Sequence, residues 1–218
     1  MKINGLLIAN PLEYVKISTF FEDIARYRKL SGGGASAVIS GSRGIYFQTS
    51  ATAGSYVSID EGGSLPNVNY FTSPTSLTIG MYLVTRGTDY EWFGVVGYIS
   101  NSAAGANFAN GHYGFRIVRG GNGAEVVYAT NSNNTNQTQT DITATISFQP
   151  TYGNVFTAIY ENSCIKFYVN GVLGATHTTN LPNAGNSSYM FDTGCSNLNV
   201  ATDSRIGISF LEYAQKRI

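Results

Sequence analysis

Beyond residue 34 the chain alternates short apolar runs with clusters of Gly, Asn, Ser and Pro. Runs of that length, rich in Val, Ile, Tyr, Phe and Thr, predict β-strands. The predicted strands are Ala37–Ser40, Gly44–Gln48, Tyr56–Asp60, Ser76–Thr85, Trp92–Ser100, Tyr113–Val118, Ala124–Ala129, Ile142–Phe148, Asn154–Tyr160, Ile165–Asn170, Gly174–Thr179 and Arg205–Tyr213. So many short strands between closely spaced turn signals predict an all-β antiparallel sandwich or jelly roll. The alternation is cleanest near the end. Ile165, Phe167 and Val169 share one face, and Lys166, Tyr168 and Asn170 the other. Asn170-Gly171 then supplies the positive φ angles of a type I′ turn, and Gly120-Gly121-Asn122-Gly123 reads as a second hairpin turn.

Residues 1–34 follow a different pattern. Thr19 and Glu22 have capping-box spacing, and Phe20, Phe21, Ile24, Tyr27 and Arg28 recur at helical intervals before Gly32-Gly33-Gly34. This predicts one short helix over Phe20–Leu30. Lys16, Arg26, Arg28 and Lys29 add positive charge there. Two readings stand. The helix caps one end of the sandwich, or residues 1–34 form a docking segment that meets a partner subunit through Phe20, Phe21, Ile24 and Tyr27. The sandwich domain is placed at 35–218. The polar stretch 131–140 (NSNNTNQTQT) predicts a loop or an exposed hairpin tip with nothing to bury.

A length of 218 residues suits one sandwich domain. The 13 basic and 13 acidic residues cancel, which argues against binding a nucleic-acid backbone. Charged residues are 12% of the chain, so solubility rests on Ser, Thr, Asn, Gln and Gly. The 15 tyrosines suit either a β-rich scaffold or a surface that contacts glycans or copies of the same chain. No apolar stretch is long enough for a membrane helix, and no signal-peptide pattern is visible at the start. Cys164 and Cys195 are either bonded or two free thiols. Sequons begin at Asn133, Asn136 and Asn186, as Asn- and Thr-rich text produces by chance.

Several segments, in order, resemble concanavalin A-like, laminin-G-like domains. Ile165 to Leu173 resembles that family's strand ending in Tyr-Val-Asn-Gly. Gly44-Ile45-Tyr46-Phe47 with Tyr56-Val57-Ser58-Ile59 resembles its opening strands, followed by Ser64-Leu65-Pro66. Ser76 to Leu83 resembles its Phe-Thr-Ile-x-Met-Trp-Val strand, with Tyr82 at the Trp position. Arg205 to Tyr213 resembles the closing strand. The resemblance covers roughly residues 35–218 and implies a concanavalin A-like jelly roll. Residues 86–150 depart from it.

Glycoside hydrolases of this fold carry paired carboxylates in a Glu-x-Asp-x-x-Glu pattern, a spacing that sets two acids across a cleft. Nothing here matches: Asp60-Glu61 point apart, and Glu91 and Glu125 stand alone. No catalytic residue is assigned. Relatives hold Ca²⁺ through Asp and Asn side chains and carbonyls; Asp192 and Asp203 lack recognisable partners, so no metal and no cofactor is expected. The one binding candidate is Asp89-Tyr90-Glu91-Trp92, where an aromatic face beside carboxylates suits a sugar. The competing reading puts Trp92 in the core. The leading functional expectation is a non-enzymatic virion component (capsid decoration, head fibre or tail), docked to other virion subunits, oligomeric and able to bind host glycans. The second is a stand-alone cell-surface or secreted lectin domain, and the third a glycosidase.

Overall fold

The computed structural model of the protein describes residues 14–19, 28–39, 44–60, 74–102, 105–121, 123–150, 152–161, 163–183, 191–198 and 200–216. These form strands β1 (Tyr14–Thr19), β2 (Arg28–Gly32), β3 (Ser36–Ile39), β4 (Ile45–Gln48), β5 (Tyr56–Asp60), β6 (Thr75–Thr85), β7 (Tyr90–Gly97), β8 (Ser100–Ser102), β9 (Gly105–Asn107), β10 (His112–Arg119), β11 (Glu125–Ser132), β12 (Gln137–Asp141), β13 (Asn154–Glu161), β14 (Cys164–Val169), β15 (Val172–His177), β16 (Asp192–Ser196) and β17 (Arg205–Lys216). An eight-stranded sheet runs β15-β14-β13-β6-β17-β4-β3, with β1 also beside β17. A seven-stranded sheet runs β12-β11-β10-β7-β16-β5-β2, and β8-β9 form a separate hairpin. The neighbours pair antiparallel throughout, and the two large sheets make a jelly-roll sandwich.

The core lies between the sheets because alternate residues of each strand point inward. On β14, Ile165, Phe167 and Val169 are buried while Lys166 and Tyr168 are half-buried. Phe115 packs edge-on against Phe156 and Phe167, with centroids 5.1 and 5.6 Å away. Burying side chains of this size stabilises by about 1.5–3 kcal/mol each. On the outer surfaces, glycines sit under aromatic rings. A Cβ at Gly207 would lie 2.3 Å from Tyr82 Cζ, and one at Gly80 would lie 2.3 Å from Phe210 Cε1. Tyr46 and Tyr82, on either side of Gly207, therefore meet edge to face at 5.9 Å.

The predicted turn at 170–171 is present: Asn170 and Gly171 have φ of 51° and 81°, and Val169 pairs with Val172. Gly120, Gly121 and Gly123 lie between β10 and β11 as expected, and Gly123 N donates to Gly120 O at 2.8 Å. Other expectations change. Residues 20–27 of the predicted helix lie outside the described residues, and Arg28–Leu30 are strand, paired with β5. Phe20, Phe21, Ile24 and Tyr27 are all in that undescribed stretch. Residues 14–19 and 28–32, inside the expected docking segment, belong to the two sheets.

Ile142–Phe148 is a turn, not a strand. Asp141 Oδ1 accepts from Thr143 N at 2.9 Å, and Ile142, Ile146 and Phe148 reach the core from the loop. The polar stretch 131–140 is a hairpin that does bury something: Asn131 is inaccessible and its Nδ2 donates to the carbonyls of Thr179 and Asn180. Strand β16, Asp-Thr-Gly-Cys-Ser, is fully buried between β5 and β7 although it carries no large apolar residue. Cys164 and Cys195 are both free thiols, on strands of opposite sheets.

Candidate functional site

The outer face of the seven-stranded sheet is where the chain departs from a plain sandwich. On β7, Tyr90, Trp92 and Val96 point into the main core, so Phe93 and Val95 point out. Residues 98–102 and 105–110, with the paired β8 and β9, fold back over them. Ile99 and Phe108 then complete a second small core with Phe93 and Val95. The sheet holds this cover with polar side chains. Ile99 N donates to Asp192 Oδ2 at 2.8 Å, and Ala106 N donates to Glu91 Oε2 at 2.8 Å. Asn101 Nδ2 donates to the carbonyls of Val57 and Cys195, both at 3.3 Å. Gly105 has φ of 101°, and a Cβ there would lie 2.7 Å from Glu91 Oε2, so the close approach requires glycine.

The covered half ends at Arg116. Its Nε donates to Glu91 Oε1, and its Nη1 donates to Gln139 Oε1 at 3.4 Å. The guanidinium carbon lies 5.0 Å from the Phe108 ring centroid and 5.9 Å from that of Tyr128. Burial pushes the Glu91 carboxyl above its ordinary range, and the Arg116 charge and the Ala106 N–H act against that shift. Beyond Arg116 the face is open. Register sets Arg116, Tyr128 and Asp141 in one row and Thr130 beside Gln139 in the next. Tyr128 is half-buried, while Gln137, Gln139 and Asp141 are exposed. Gln137 Nε2 donates to Thr130 Oγ1 at 2.9 Å, and the Thr130 hydroxyl donates to His112 Nε2 at 3.0 Å. His112 Nδ1 donates to the Asn110 carbonyl at 2.7 Å, and burial lowers the His112 pKa to about 4. The result is a shelf with one aromatic ring, two amides and a pinned guanidinium, walled on one side by the hairpin cover.

The sequence-level candidate does not form such a surface. Trp92 is fully buried against Phe156, with centroids 5.4 Å apart, and Tyr90 is fully buried with its hydroxyl donating to Glu125 Oε1 at 3.3 Å. Both begin a core strand, which is why they cannot stack on a ligand. Asp89 is half-buried and not part of the shelf rows. Glu125 also pairs with Arg86, so this cluster closes one end of the sheet. Among the described residues, no group of three or more His, Cys, Asp or Glu side chains comes together as a metal site; Asp192 is spent on the hairpin. Sequence reasoning missed Arg116, Tyr128, Gln137 and Gln139. The available signal was alternation across 126–132, but β12 carries no apolar residue to extend it.

No family model and no curated protein matches the chain in sequence. Solved structures do match in fold. One is a glycosidic hydrolase at 11% identity, covering 91% of this chain and 94% of that one, with a TM-score of 0.60. Another is the Emp47p carbohydrate recognition domain at 10% identity, covering 95% and 99%, with a TM-score of 0.59. A third is a protein of unknown function from Shewanella oneidensis MR-1 at 15% identity, covering 94% and 87%, with a TM-score of 0.58. At these identities the likeness is one of fold. The chain is an all-β, lectin-like jelly roll of the concanavalin A-like architecture.

Proposed function

We propose that this domain binds carbohydrate without cleaving it, on the open half of the seven-stranded sheet. The observation that carries the reading is the shelf itself. Tyr128 offers a ring to the apolar face of a sugar, and Gln137, Gln139 and Asp141 offer donors and acceptors to its hydroxyls. The carboxylates of the same face support binding over hydrolysis. Glu91 is held by Arg116 and Ala106, and Asp192 by Ile99. In register Glu91 stands opposite Ser196, four residues along β16 from Asp192. That offset is roughly 13 Å, and Asp60, which does stand opposite Asp192, is buried with it, so neither is presented to a sugar as the acid pair that hydrolysis needs.

A glycan array probed with the purified chain tests the reading. Binding that Tyr128→Ala weakens by about tenfold supports it. Release of reducing ends from a bound glycan overturns the non-catalytic part, and an array with no signal overturns the whole. A role as an oligomeric virion component that uses this surface on host glycans remains a proposal of its own. Its test is co-sedimentation of the chain with particles.

A further inference from the structure

The two exposed glutamines of β12 do not turn over freely, because the hydrogen bonds behind them fix the direction of each amide. The chain of bonds starts at His112. Its Nδ1 lies 2.7 Å from the Asn110 carbonyl, which can only accept, so Nδ1 carries the proton. Burial keeps the ring neutral, with a pKa of about 4, so Nε2 is an acceptor. The Thr130 hydroxyl, 3.0 Å away, donates to it. Thr130 has one hydrogen, so towards Gln137 it can only accept, and the Gln137 atom 2.9 Å away must be Nε2. Gln137 Oε1, on an exposed residue, then has no hydrogen-bond partner among the described residues and meets solvent. On Gln139 the order is reversed. A guanidinium only donates, so the Gln139 atom 3.4 Å from Arg116 Nη1 must be Oε1. The second hydrogen of Gln137 Nε2 faces the same oxygen, also from 3.4 Å. Both contacts are long, but each would be repulsive with the Gln139 amide reversed. Glu91 holds the guanidinium in place, and Gln139 Nε2 is the atom left for a ligand.

Given the carbohydrate-binding role proposed for this shelf, we propose that it selects sugars carrying an acetamido group. A fixed acceptor beside a fixed donor discriminates only among ligand groups whose own polarity is fixed. A hydroxyl both donates and accepts, so a plain hexose bonds equally well to either amide order. A carboxylate only accepts and is opposed by the Gln137 oxygen. An ammonium only donates and is opposed by the Gln139 nitrogen. An acetamido group brings one N–H for Gln137 Oε1 and one C=O for Gln139 Nε2. Its methyl and the apolar face of the sugar have the Tyr128 ring, one row away from Gln139. Sites that pair with fixed donors and acceptors reject the analogue lacking them more strongly than apolar contacts do. His112 and Thr130 never touch the ligand; they are positioning residues that set which atom Gln137 presents.

The test is an array of matched glycans titrated with the full chain. Each set, in the gluco and galacto series, differs only in carrying acetamido, amine or hydroxyl at C2, with the uronate counterpart alongside. Binding should favour the acetamido member over its hydroxyl analogue by about tenfold, the net worth of one to two hydrogen bonds. Gln139→Glu keeps an oxygen towards Arg116 but replaces the outward donor with an acceptor, and it should lose that preference. Tyr128→Ala should weaken acetamido and hydroxyl sugars alike. Equal affinity for the two, a preference for the amine or the uronate, or an undiminished preference in Gln139→Glu overturns the acetamido selection and leaves carbohydrate binding standing. Absence of binding to every glycan overturns both.

Discussion

Acid should destabilise this protein through two histidines that the fold keeps neutral. His112 is wholly inaccessible, edge-on to Phe108 with centroids 5.3 Å apart and bonded at both ring nitrogens. His177 sits where the β15 edge meets the β11-β12 hairpin. Asn131 Nδ2 is committed to two carbonyls, so its Oδ1 faces His177 Nδ1 at 2.5 Å and the ring nitrogen donates; His177 Nε2 accepts from the Thr140 hydroxyl at 2.9 Å. Burial lowers both pKa values from 6.5 to about 4. The unfolded chain therefore binds protons that the folded chain refuses. Stability is complete above the unfolded value near 6.5, falls as pH drops, and levels off below about 4. The His112 shift corresponds to about 3 kcal/mol, a large share of a total of about 5–15 kcal/mol, and His177 adds in the same direction. Glu91 opposes the trend, because a raised carboxyl pKa makes the folded chain take up its proton first. Urea unfolding at pH 7, 6, 5 and 4 measures the slope. His112→Gln should be less stable at pH 7 but lose less on acidification, by about one proton's worth. A variant slope equal to that of the wild type would refute the reasoning.

Three further outcomes follow from the packing. Gly207→Ala drives a methyl into the Tyr82 ring and should lower stability by about 1–3 kcal/mol, read as a lower urea midpoint at constant m. Trp92→Phe should cost core stability, with a lower Tm, yet leave glycan binding unchanged because the ring never meets solvent. Asn170→Ala should cost about 2 kcal/mol or more by calorimetry. It loses the positive-φ preference and the bonds that Asn170 makes with Val155 N, at 2.9 Å, and Ser147 O, at 2.7 Å.

The sandwich was legible wherever a strand carried its own alternation, as in β13, β14 and the Asn170-Gly171 turn. It was illegible where a strand owes its existence to its neighbours. β16 is buried because β5 and β7 flank it, and β12 is a strand because it extends β11; neither carries an apolar pattern. The converse error occurs at 142–148, where apolar residues mark contact with the core and an Asx turn at Asp141 decides the backbone. The shelf was hidden for the same reason. Arg116, Tyr128 and Gln139 come together only through strand register, and the Glu91–Arg116 pair spans strands that sequence reading cannot align. The lone Trp drew attention by rarity, but rarity carries no information about which face of β7 it occupies.

Isothermal titration of an array-selected glycan against three chains, the wild type, Tyr128→Ala and Trp92→Phe, tests the central claim most directly. The account predicts binding by the wild type and by folded Trp92→Phe, with a loss of about tenfold in Tyr128→Ala. Undiminished binding by Tyr128→Ala, or loss of binding in a folded Trp92→Phe, would contradict it.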